Sequence, residues 1–180
     1  MGNFSFLAEM SEYQSFAKAC IDAENIYKDS PKSCISGTRS ALECAIKWIY
    51  QKDRSLTYTK TQAPNTNLFD RMSSPSFQKI TPKHLLKKIH DIRILANDVL
   101  HTNRPASNDD AMMCLEYLFD FIQWLDRRYG SQHIQRQFSR SDVPKNPSLI
   151  QQGLKYAGAA VAGAAAVVGA IFITRNNGRY

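Results

Sequence analysis

Paired cysteines are missing from this chain. Cys20, Cys34, Cys44 and Cys114 are scattered, without CxxC spacing and without histidines at ligand spacing, so neither a zinc site nor a disulfide framework is expected. Each lies in an apolar helical pattern, where a free thiol behaves as a small hydrophobe. The reducing cytosol is the expected home of the main domain. A Gly-rich phosphate loop, an HExxH helix, a GxSxG elbow and a Cys/His ligand set are also absent, so no metal and no cofactor are expected. Residues 1–10 hold neither a basic stretch nor a long apolar run, and no secretory signal is read there. No acidic residue follows position 150. All 16 lie before it with 20 of the 23 Lys and Arg, so the net charge of +7 divides into +4 before that point and +3 beyond. A basic excess of this size suits an anionic partner, RNA or lipid headgroups. The basic residues are not regularly interleaved with aromatics, so base-specific RNA recognition is not expected.

What is present is a helical pattern. Apolar residues make up 43 % of 180 residues, enough for one domain with a core and an appendage. Phe4, Phe6 and Leu7 cap the core edge. Ser11 opens a first helix with an apolar stripe through Tyr13, Phe16, Cys20 and Tyr27, and Asp29-Ser30-Pro31 ends it. A second helix over residues 31–50 has a wide apolar face and carries Arg39 and Glu43 one turn apart, in ion-pair register. Residues 51–79 are rich in Pro, Asn and Ser, and only 68–72 read as a short helix. Thr81 as N-cap and Pro82 at the first helical position start a third long helix. A fourth, over residues 109–129, is capped by Ser107 or Asn108. It carries Asp109 and Asp110 at its positive end and Arg127 and Arg128 before Gly130 at the other.

The third long helix carries the most distinctive pattern. Ile89, Ile92, Leu95 or Ala96, Val99 and Leu100 are read as its apolar stripe, while Arg93, Asn97 and His101 recur at i, i+4, with His90 one turn earlier. A guanidinium, an amide and an imidazole thus share a polar ridge. As a site, His101 would serve as general acid or base and Arg93 would stabilise phosphorane charge. As a buried network, Arg93 pairs with Glu43 or Asp91, Asn97 bridges helices, His101 reaches Glu43, and Arg39 joins them, fixing helix register without chemistry.

Arg39 with Ala41-Leu42-Glu43, followed by Ile92-Arg93-Ile94-Leu95-Ala96-Asn97-Asp98-Val99-Leu100-His101, resembles the HEPN superfamily, in the uncharacterised branch often fused to restriction-enzyme subunits. The resemblance covers roughly residues 10–130. It implies an all-α, up-and-down bundle that dimerises through the motif-bearing helices, in bacterial defence or stress response. It also implies, for many members, a metal-independent endoribonuclease built on Arg93, Asn97 and His101, supported here by Arg39, Glu43 and His90. The chain departs from the nuclease pattern at Ala96, where the motif places its arginine. Arg93 stands one turn earlier, about 12 Å from His101 along the axis.

Beyond residue 130 hydrophobicity drops, and residues 131–153 read as a basic linker. Arg136, Arg140, Lys145 and Lys155, with Arg127 and Arg128 before them, are candidate contacts for lipid or RNA. Residues 157–174 then carry no charge. Helical over 154–175, this stretch spans about 30 Å, the thickness of a hydrocarbon core, and predicts a C-terminal hydrophobic transmembrane helix. Gly158, Ala162, Ala166 and Ala170 line a ridge of small residues suited to helix self-association. The expected arrangement is a single-pass C-terminal membrane anchor with the bundle of residues 1–130 cytoplasmic. The leading functional expectation is a membrane-tethered HEPN-like interaction or effector module without catalysis, homodimeric, in contact with membrane lipid and an unknown protein partner. The alternatives are the ribonuclease and a membrane-disrupting toxin acting through the C-terminal helix.

Overall fold

In the computed structural model, the described residues are 2–56, 67–102 and 104–144. Every regular element among them is helical, so the all-α expectation holds. The first helix begins as a 3-10 turn over Ser11–Tyr13 and becomes α1 at Gln14–Asn25, with a second 3-10 turn over Ile26–Lys28. Ser30 then resets the chain. Its backbone is extended, its hydroxyl accepts the Ser33 N–H at 3.1 Å, and Pro31 takes the first position of α2 (Pro31–Lys52), where no N–H is needed.

Two short helices follow, α3 (Leu68–Ser73) and α4 (Pro75–Ile80). Asn67 caps α3 by accepting the Asp70 N–H at 3.0 Å, and fully buried Phe77 anchors α4 by stacking on Tyr50. The sequence missed α4, whose signal is Pro75 at its start. The next helix, α5 (Lys83–His101), begins one residue later than read, with Pro82 in the cap position and no side-chain cap. In contrast, α6 (Asn108–Tyr129) opens on a complete capping box. The Ser107 hydroxyl accepts the Asp110 N–H at 3.0 Å, and the Asp110 carboxylate accepts the Ser107 N–H at 3.3 Å.

Helix α2 is the central member, packed against α1, α5 and α6, while α5 also packs on α6. Its buried face (Ile35, Leu42, Ile46, Ile49) meets Phe16 of α1, Ile89 and Ile92 of α5, and Leu115, Leu118 and Ile122 of α6 in one core. Each such side chain contributes about 1.5–3 kcal/mol by leaving water.

Residues 131–144, read as linker, instead lie on the bundle. Phe138 packs edge-on to Phe119 and Val143 is buried. Asn3 and Ser139 exchange two hydrogen bonds: Asn3 Nδ2 donates to the Ser139 carbonyl at 3.0 Å, and the Ser139 N–H donates to Asn3 Oδ1 at 2.7 Å. The composition signal failed because this strap is held by a few specific contacts rather than by an apolar stripe. The rest of the expected linker and the 154–175 helix, including Lys145, Lys155, Gly158, Ala162, Ala166 and Ala170, lie outside the described residues. Among those described, no helix is long and apolar enough to cross a membrane.

Under the strap sits Asp126, a fully buried carboxylate on the last turn of α6. Tyr13 donates its phenol to Oδ1 at 2.6 Å, His133 Nδ1 stands 2.7 Å from Oδ2, and Arg136 Nη1 lies 3.9 Å from the same oxygen. Gly130 closes this corner with an ordinary negative φ, so its glycine is not there for a left-handed turn. A Cβ at 130 would stand 2.5 Å from the Tyr13 hydroxyl and 2.6 Å from Asp126 Oδ1. Gly130→Ala should therefore destabilise the fold by about 1–3 kcal/mol, measured by urea unfolding.

Burial, then the Asp126 hydrogen bond, pushes the Tyr13 phenol well above its ordinary value. Burial likewise raises the Cys34 and Cys114 thiols and the Tyr129 phenol to about 12. The folded chain keeps these protons where the unfolded chain loses them. Their stabilisation is complete below the ordinary thiol value of 9.0 and is lost as pH climbs toward 12. The expected Tm falls continuously from pH 9 upward, and Tyr13→Phe, less stable throughout, falls less steeply above the ordinary phenol value of 10.0.

Candidate functional site

The polar ridge lies on the outside of α5. Leu85, Ile89, Ile92, Leu95, Ala96 and Val99 turn inward. At about 100° per residue, His90, Arg93, Ile94, Asn97, Leu100 and His101 then fall within roughly 120° of the opposite side. Among these, Ile94 is 47 % and Leu100 39 % exposed, both large apolar side chains facing outward. The nearby Phe69 of α3 is 48 % exposed.

Phe69 organises the upper part of this face. The Arg93 guanidinium carbon lies 4.9 Å from its ring centroid, in cation–π range, and the His90 ring meets it edge-on at 6.4 Å. Burial, and then the Arg93 charge, holds His90 below its ordinary value of 6.5, so it is neutral at pH 7. Arg93 is thus turned toward α3 rather than toward His101. Asp91, its other expected partner, pairs with Lys87 at 3.0 Å. Asn97 is half-buried and His101, the last residue of α5, is exposed; among the described residues neither side chain has a hydrogen-bond partner. The three residues expected as a catalytic trio therefore share a face of α5, with Arg93 drawn away to Phe69.

The supporting network is rearranged as well. Glu43 pairs with Lys47 at 2.9 Å and with Arg71 at 3.8 Å, rather than with Arg39, Arg93 or His101. Arg71 of α3 was not anticipated, because it falls in a stretch dominated by loop-forming residues. Its signal was Leu68 and Met72, one turn apart and both buried, which turn the intervening helix inward. Arg71 is 7 % exposed, and its Nε and Nη1 lack hydrogen-bond acceptors, as do the buried Nε atoms of Arg39 and Arg93. Arginines on α2, α3 and α5 thus each keep a buried nitrogen without an acceptor, and of the three Arg71 is paired with Glu43.

The remaining basic candidates separate into two groups. Arg136 lies 3.9 Å from the Phe6 ring centroid, and Arg140 pairs with Glu116 at 2.8 Å, so both are spent holding the strap. Arg127 and Arg128, on the last turn of α6, are exposed; Arg127 contacts Gln135, and Arg128 Nε donates to the Tyr129 hydroxyl at 3.0 Å. No group of three or more His, Cys, Asp or Glu side chains able to hold a metal occurs among the described residues.

Breaking a wholly buried ion pair costs roughly 3–5 kcal/mol, and part exposure of Glu43 reduces this. Glu43→Gln, which strands Arg71, should cost about 2 kcal/mol, more than Arg71→Met, which removes charge and orphaned donors together. Paired chemical denaturation curves give the ordering. Family models, curated proteins and solved structures offer no match to this chain.

Proposed function

We propose that this chain is a HEPN-like interaction or effector module that works without catalysis and self-associates through the outer face of α3 and α5. The observation that carries this reading is the exposure of Phe69, Ile94 and Leu100 on one continuous face, threaded by His90, Arg93, Asn97 and His101. Isolated exposed apolar side chains are ordinary, but a group of them rimmed by polar residues favours protein contact. Ala96 supports the non-catalytic side. The position where the nuclease motif carries arginine is fully buried in the core, where a guanidinium has no room. The membrane anchor over 154–175, the cytoplasmic placement of the bundle and the defence or stress setting are parts of the same proposal. They rest on the uncharged C-terminal stretch and on the resemblance of the α2 and α5 motifs.

A second reading, the metal-independent ribonuclease, is favoured by one observation: His101 is exposed beside Asn97 on an open face that RNA can reach. One set of samples separates the two. Sedimentation of the full chain in detergent should show a dimer, and Ile94→Asp and Leu100→Asp should each weaken it at least about tenfold, equivalent to about 1.4 kcal/mol. RNA incubated with the chain in EDTA should stay intact. A monomer at all concentrations would remove the self-association proposal. RNA cleavage that disappears in His101→Ala would replace the module by the nuclease. Flotation on vesicles tests the anchor: the full chain should float, and a chain lacking residues 151–180 should not.

A further inference from the structure

The C-terminal ends of α2 and α6 meet at one end of the bundle. Tyr129, closing α6, donates its hydroxyl at 2.6 Å to Asp53 Oδ2, one residue past α2. Four cations flank this link. Lys52 and Arg54 stand on either side of Asp53, Arg127 and Arg128 precede Tyr129, and all four are exposed. Among the described residues no carboxylate pairs with any of them. Asp53 offsets one charge of the four, and Glu12, at the start of the strap, is occupied by the Ser131 N–H and hydroxyl.

Three of the four are positioned by uncharged groups. The Arg128 guanidinium lies 5.3 Å from the Tyr129 ring, Lys52 Nζ lies 5.9 Å from the Trp48 ring, and Arg127 donates to the Gln135 carboxamide. Such contacts fix a cation without neutralising it. Basic groups in a last helical turn also complement the helix dipole, which accounts for Lys52, Arg127 and Arg128 on stability grounds. It does not account for Arg54, which lies beyond α2, or for Ile134. At 61 %, Ile134 is the most exposed large apolar side chain among the described residues. The strap holds it there. His133 on one side reaches buried Asp126, and on the other the Arg136 N–H donates to Gln123 while Arg136 Nη1 donates to the Ile134 carbonyl. The next residue, Gln135, is the partner of Arg127, which sets Ile134 beside the cations.

Grouped cations suit any polyanion, and two observations favour a lipid surface over nucleic acid. An exposed isoleucine gains by leaving water among acyl chains and gains nothing against a phosphodiester. The aromatic rings here are covered, Trp48 being buried and Tyr129 carrying Arg128 on its face, so bases find no stacking platform. We infer that this end of the bundle docks on an anionic phospholipid surface. Lys52, Arg54, Arg127 and Arg128 face the headgroups, and Ile134 enters the interface among them. The contact belongs to the bundle itself and requires neither the C-terminal anchor nor self-association.

The test uses the full chain with an environment-sensitive fluorophore at Gln132→Cys, an exposed strap position near Ile134. Cys44→Ser accompanies it, because the other three thiols are buried. Vesicles of phosphatidylcholine, alone or with phosphatidylserine, are the probes. The expected result is a saturable blue shift with phosphatidylserine that added salt reverses, and none with phosphatidylcholine alone. The same label at Asp109→Cys, about 30 Å away at the other end of α6, should stay unshifted. Arg54→Gln combined with Arg127→Gln should weaken binding about 25-fold, at about fivefold per charge. Ile134→Ser should weaken it about tenfold. All three positions are exposed, so Tm should not change. Attachment to neutral vesicles reports the C-terminal anchor, so that reading and this one fail separately. No shift at Gln132→Cys with phosphatidylserine overturns the assignment. So does an equal shift on neutral vesicles or at Asp109→Cys, or undiminished binding in the double variant. An RNA oligonucleotide bound by the full chain and lost in the double variant, with the label silent on both vesicles, would give the surface to nucleic acid instead.

Discussion

One buried carboxylate determines how both ends of the described chain are placed. Asp126 has left water completely, and a charge in that position persists only where donors surround it. Those partners come from two separate parts of the sequence: Tyr13 ahead of α1, and His133 and Arg136 of the strap. The glycine at 130 leaves space for them to meet. The last turn of α6, the lead-in to α1 and the strap are therefore one polar unit fastened beneath an apolar bundle. Removing any donor exposes the same buried oxygen pair.

The bundle then leaves α5 with two characters. Its inner side is committed to the core, down to the small Ala96. Its outer side mixes apolar and polar groups without pairing most of them, while Phe69 of α3 takes Arg93 onto its ring. Helix α3 is short, but it brings in Phe69, which takes Arg93, and Arg71, which pairs with Glu43. A face with unfilled polar capacity and exposed apolar groups is suited to contact rather than to a closed reaction chamber.

Periodicity made the four long helices legible because each buries a broad stripe. Ser107 with Asp110 and Ser30 with Pro31 marked helix starts, since caps are local chemistry written within four residues. Partner choice was not legible. Arg39 and Glu43 stand in helical ion-pair register, yet Glu43 turns to Lys47 and Arg71, because register says only which groups can meet on one helix. Arg71 comes from another element whose docking depends on Leu68 and Met72. The strap was hidden for a related reason. Its hold on the bundle comes from Asn3, Phe138, Arg140 and Val143, distributed too sparsely to create a pattern. The three groups of the α5 ridge were correctly placed on one face, but spacing along the axis kept them apart.

The reciprocal hydrogen bonds between Asn3 and Ser139 have a consequence for folding. Asn3 also reaches inward, its N–H and Nδ2 donating to the buried Glu24 carboxylate at 2.8 and 2.7 Å. Asn3 thus has half of these hydrogen bonds to α1, close by in sequence, and half to a segment 136 positions further along the chain. Closing so long a loop is entropically slow compared with local helix pairing. Docking of Asn3 on Glu24 needs only α1, whereas its bonds to Ser139 need that long loop to close, so the strap is the part of this corner expected to form later.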